Sequence, residues 1–220
     1  MDPLDTLKEI KAKLGNAGPA VMAVSKYKPA EAVIPLLDAG HRLFGENRVG
    51  EALEKWPDLK EKYPDVKLHL IGHLQRNKIK DALKIFDSID TVDSLQLAQS
   101  LARHDISGKT FMAEVNTGSE PQKTGFLPKE IDAFLENSPL PITGLMCIPP
   151  VGEEPSPHFA FLKEIAKRHS NIKELSMGMS ADYEIAASQG ATIVRLGTIL
   201  FGERDYSLSL TALTKQLKER

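Results

Sequence analysis

Pro19-Ala-Val-Met-Ala-Val24 is a short apolar run that ends in Ser25-Lys26-Tyr27-Lys28-Pro29. A run of this length, bounded by proline and followed by a helical pattern, predicts a buried strand. An α/β protein keeps its chemistry at the C-terminal ends of its strands, and two lysines stand at this one. In an extended segment Lys26 and Lys28 would point the same way. Like charges that close favour the neutral form of one lysine, and a neutral amine is a nucleophile. A Schiff-base lysine is the sharp reading of the segment. A strand end running into solvent, with both ammoniums hydrated, is the plain one.

Outward from this strand the same unit recurs. Ala30 to Ala39 has helical spacing and stops at Gly40, and a short apolar piece, 41–44, ends in Gly45-Glu46-Asn47. Arg48 to Tyr63 reads as an amphipathic helix interrupted by Pro57, and Val66 to Ile71 as a strand ending at Gly72-His73. A basic helix over 74–83, a strand over 86–92 and a helix over 94–104 capped by Asp93 follow. The second half gives strands over 109–115, 142–148, 173–177 and 192–196. Helices over 128–136, 157–168, 180–188 and 207–218 separate and close them. Eight strands alternating with helices predict a parallel sheet closed as a (β/α)₈ TIM barrel, in one domain over residues 1–220. A doubly wound open sheet is the structural alternative, but it rarely repeats so evenly.

Composition excludes several function classes. The chain has 220 residues, 41% hydrophobic and 26% charged, with a net charge of −2. Near-neutral charge gives no electrostatic case for nucleic acid or anionic membrane. The single cysteine, Cys147, rules out an internal disulfide or a multi-cysteine metal site. No signal peptide and no membrane-spanning stretch is evident, so a cytoplasmic protein is expected. His69 and His73 are too few for a metal site, and no HExxH or CxxC pattern supports one.

The unusual residues collect after the strands. Gly178-Met-Ser180 opens a predicted helix after strand seven, and Gly197-Thr198 follows strand eight. The loops after strands seven and eight are the recurrent phosphate site of this fold, and helix N-termini present N–H groups to anions. Ser180 could equally cap its helix. Arg195 interrupts the apolar strand 192–196, where a guanidinium needs a partner. That partner is either an acid such as Glu114 or a ligand in the barrel mouth. Asn47 reads as a helix cap, Met146 as core filler, His69 as a hydrogen-bonded core histidine, and Gln75 to Lys78 as a solvated helix face with anion-binding potential.

Taken together, Ala23-Val-Ser-Lys-Tyr-Lys-Pro29, Phe44-Gly-Glu-Asn47, 69–78, Gly144-Leu-Met146, 175–182 and 194–202 resemble the pyridoxal-phosphate homeostasis protein family, in family order. The resemblance implies a fold similar to the barrel domain of alanine racemase (fold type III among pyridoxal-phosphate proteins) and one bound pyridoxal 5′-phosphate. On that resemblance Lys26 matches the lysine of the internal aldimine, and Arg195 the arginine facing the pyridine nitrogen. Ser180, Gly197 and Thr198 fall around the phosphate, and Asn47 and Met146 line the cofactor. Leu68 departs from the family, many of whose members carry an aromatic residue there. The implied function is a non-catalytic carrier that buffers and delivers pyridoxal 5′-phosphate and maintains B6 vitamer and amino-acid homeostasis. Its partners would be the cofactor and apo forms of pyridoxal-phosphate enzymes, and the chain is expected to be a monomer. An amino-acid racemase or lyase is the alternative. A barrel enzyme using Lys26 on a sugar phosphate is a third reading.

Overall fold

The computed structural model describes residues 2–202, so the helix expected over 207–218 lies outside the described residues. A first helix, α1 (Pro3–Leu14), precedes the barrel, with Asp2 accepting the Leu4 N–H at its start. Eight strands follow: β1 (Ala20–Val24), β2 (Leu43–Glu46), β3 (Lys67–Leu70), β4 (Ser88–Val92), β5 (Thr110–Val115), β6 (Ile142–Cys147), β7 (Glu174–Ser176) and β8 (Ile193–Leu196). The helices between them are α2 (Ala30–Asp38), α3 (Val49–Lys62), α4 (Ile79–Ile85), α5 (Leu95–Leu101), α6 (Ile131–Asn137), α7 (Pro155–Arg168) and α8 (Tyr183–Ser188). A single turn, α9 (Thr198–Phe201), follows β8.

All neighbouring strands are parallel and the order is β1 to β8, closed by β8 pairing back onto β1. The expected (β/α)₈ barrel is therefore the observed one. Alternation along each strand separates two cores. Val21, Ala23, Phe44, Leu68, Leu70, Val194 and Leu196 point outward and pack under the helices. Met22, Met112 and Ile193 point inward and fill the barrel axis. A Cβ at Gly45 would lie 2.7 Å from the Met22 sulfur, so glycine at this inward position makes room for the methionine. Side chains thus plug the barrel from below and leave its C-terminal mouth to the loops. No helix among the described residues is long and apolar enough to cross a membrane.

Several boundaries shift for local reasons. β2 starts at Leu43 rather than 41, because the His41 ring bonds Leu43 O and Arg42 donates to Leu37 O, tying both to the α2 connection. The helix expected over 74–83 is a 3₁₀ turn, Arg76–Lys78, followed by α4. Asp93 does not cap α5. Ser94 does, accepting the Leu97 N–H, while Asp93 accepts from Ser94 Oγ and pairs with the His73 ring.

Candidate functional site

At the C-terminal mouth lies a cavity of about 300 Å³, whose walls come from opposite sides of the barrel. Lys26, Lys28, Asn47, Ser180, Arg195, Gly197 and Thr198 all line it. Strand alternation is not what brings the two lysines together. Tyr27 has φ +60°, and the Lys28 N–H donates to Ser25 O at 3.1 Å, so 25–28 is a tight turn. Lys28 Nζ donates to Phe201 O at 2.7 Å and ties this turn to α9.

Arg195 is 4% exposed on the inward face of β8. It does not pair with Glu114. Nη1 donates to Ser176 O and Oγ at 2.6 and 3.0 Å, and Nη2 to Cys147 O at 2.8 Å. Three contacts leave part of its five-donor capacity for the cavity. Burial lowers the Arg195 pKa, against the pull of Cys147 and nearby carboxylates. Glu114, held by Thr124 Oγ1, is pushed up by burial.

Ser180 is not a helix cap. The helix begins at Tyr183, and Ser180 Oγ instead accepts the Ile199 N–H at 3.3 Å, joining the loops after β7 and β8. The preceding turn needs glycine: Gly178 has φ +89°, and a Cβ there would lie 2.4 Å from that of Ala186. Its carbonyl accepts the Arg195 N–H at 2.9 Å, fixing this turn to β8. The start of α9 leaves backbone N–H groups without intrahelical partners at the same wall.

Asn47 does not cap α3 either. Arg48 occupies that position without a side-chain bond, and Asn47 Oδ1 is buried with no protein partner. Met146 is fully buried beside Ser176 in register, one inward step below Ile148, which lines the cavity. Arg76 and Gln75 line a separate depression together with His73 and Asp93. Below the cavity, His69 is the bonded core histidine expected, with Nδ1 at 2.9 Å from Asp90 and Ser88 donating to the same carboxylate. Burial alone would lower the His69 pKa, but Asp90, Glu174 and Asp87 raise it.

Sequence reasoning missed Lys55. It sits on α3 beside Ala52, Trp56 and Leu59, the buried face of the helix. A lysine on an apolar stripe was the available signal. Its ammonium meets Glu46 at 2.7 Å, and burial still drives Glu46 upward in pKa.

The lining residues fit a phosphorylated, aldehyde-bearing ring. The ionisable groups on the walls, among the described residues, are the cations Lys26, Lys28 and Arg195, which suit an anion. Asn47 offers an unpaired polar atom to a ring substituent, and Lys26 an amine.

The sequence profile of the alanine racemase N-terminal domain matches residues 5–205. The pyridoxal phosphate homeostasis protein of Vibrio cholerae is 37% identical over 219 residues, covering 91% of this chain and 93% of that one. The human protein of the same name is 39% identical over 215 residues, covering 86% and 78%. PipY of Synechococcus elongatus, solved with PLP bound, superposes with a TM-score of 0.78 at 34% identity, over 91% of this chain and 100% of PipY. The chain belongs to the family of the pyridoxal phosphate homeostasis proteins, built on the alanine racemase N-terminal barrel.

Proposed function

We propose that this protein binds pyridoxal 5′-phosphate in the barrel-mouth cavity and serves as a carrier that buffers and delivers it. The carrying observation is that Lys26, Asn47, Arg195 and the Ser180–Thr198 wall, distant in sequence, share one cavity of about 300 Å³. Lys26 supplies the amine for a covalent link. Ser180, Gly197 and Thr198 would hold the phosphate, and Arg195 the ring nitrogen. When bound, the cofactor supplies an electron sink for carbanions, and the protein decides how far that is used. A guanidinium donates only, so Arg195 would leave a ring nitrogen facing it unprotonated, and the sink would be weak. Racemisation needs acid/base groups on two faces of a substrate. Lys28, the other amine on the wall, comes from the same turn as Lys26 and is bonded to Phe201 O. These features favour storage and transfer, to apo pyridoxal-phosphate enzymes in the cytoplasm.

The test loads the protein with cofactor and incubates it with single enantiomers of several amino acids. Unchanged enantiomers and no product, together with reactivation of an apo enzyme, are expected. Sustained chiral inversion or elimination would replace the carrier reading with the racemase or lyase one.

A further inference from the structure

Lys26 sits in the middle of a turn whose two ends are gripped by one buried ammonium. Lys55, with a side chain 5% exposed, donates to Ser25 O and to Lys28 O, both at 2.8 Å. The same Nζ meets Glu46 Oε1 at 2.7 Å and Glu51 Oε1 at 3.2 Å. Glu51, one helical turn before Lys55, also accepts the Tyr27 N–H at 2.5 Å. Glu46 accepts from Ser25 Oγ at 2.7 Å and Trp56 Nε1 at 3.1 Å. Arg48 stacks over the Tyr27 ring at 5.3 Å.

Two physical points give this clamp a purpose. A buried ion pair is often no more stable than well-packed apolar residues of the same volume, so overall stability does not explain Lys55. Tyr27 holds φ +60°, a conformation a bulky residue keeps only when its surroundings impose it. The Lys55 ammonium and the Glu51 carboxylate are among the groups that hold it, bonded to the Ser25 and Lys28 carbonyls and to the Tyr27 N–H. We propose that Lys55, with Glu51, is a positioning pair that holds the 25–28 turn so that Lys26 Nζ enters the cavity in reactive register. The proposal rests on the reading of Lys26 given above. Lys55 acts through the turn and does not itself touch the ligand.

Wild-type, Lys55→Met and Glu51→Ala proteins are titrated with two ligands. Pyridoxal 5′-phosphate carries an aldehyde that condenses with the Lys26 amine, releasing one water. Pyridoxine 5′-phosphate has an alcohol there and occupies the cavity without condensing. Both variants are expected to lose about tenfold or more in affinity for the aldehyde and to develop the visible band more slowly, because misplacing a reacting group by about 1 Å costs up to roughly 10²-fold. Their affinity for the alcohol should stay within about twofold of wild type. Glu51 is partly exposed, so its variant decides the matter if Lys55→Met does not fold. Wild-type rates and yields in both variants, or equal weakening of both ligands, would overturn the positioning role. A wild-type protein with no band overturns the Lys26 reading itself, before any variant is compared.

Discussion

Three cationic side chains meet on one small cavity, and each is placed by a different device. Arg195 is pinned by carbonyls of β7 and β6, Lys28 by the carbonyl of Phe201, and Lys26 by the 25–28 turn that carries it. Among the described residues Arg195 is held by the carbonyls of Ser176 and Cys147 and by the Ser176 hydroxyl rather than by a carboxylate, so its positive charge is left for an anionic ligand. Elsewhere a single residue sets a measurable pH response. His41 is buried at the entrance to β2, its ring edge-on to Phe44 at 5.1 Å and its Nε2 bonded to Leu43 O. Burial, with help from Lys11, lowers its pKa to about 4. The folded state thus holds the neutral ring. That contribution is present above the unfolded value near 6.5 and is lost as pH falls from there toward about 4. Urea denaturation across that range should show wild type losing up to about 1.4 kcal/mol per pH unit from this group, with a flatter curve for His41→Gln. Parallel curves for the two proteins would remove His41 as the cause.

Among the elements, the turn between β7 and α8 depends on a single glycine. Gly178→Ala must adopt φ +89° and bring its Cβ to 2.4 Å from that of Ala186. A loss of about 2–4 kcal/mol is expected, combining the left-handed penalty with overpacking. It should be read as a lower denaturant midpoint at unchanged slope. A loss under about 0.5 kcal/mol would mean that the turn relaxes freely. Most strands were legible in the sequence as apolar or alternating runs bounded by Gly, Pro or charged residues, as in 19–29. What the sequence blurred were helix starts. Ser180 and Asp93 look like caps, yet each is committed to a neighbouring loop or ring that is distant in the chain. Lys26 and Arg195 stood out because a cation at the end of an apolar strand, or inside one, needs a reason. Lys55 did not, since its partners at Ser25 and Lys28 lie about thirty residues away and amphipathic helices carry many lysines.

As a whole molecule, the barrel pairs its last strand with its first, so every strand edge is satisfied within one chain. We therefore propose a monomer, and light scattering should return the mass of one 24.2 kDa chain. A mass of two chains would contradict it. Closure also explains why the site exists only in the folded chain: Lys26, Asn47, Arg195 and Thr198 follow or lie on β1, β2 and β8, and only the closed sheet sets them around one cavity. The central claim is that this cavity holds pyridoxal 5′-phosphate through the amine of Lys26. It is tested most directly by absorption spectra of wild-type and Lys26→Ala proteins mixed with the cofactor, before and after borohydride and gel filtration. Wild type should show a visible band that borohydride converts into a permanent adduct on Lys26, while Lys26→Ala, still folded, shows neither. A wild-type protein without the band, or an Ala variant that keeps the borohydride-fixed adduct, would contradict the account.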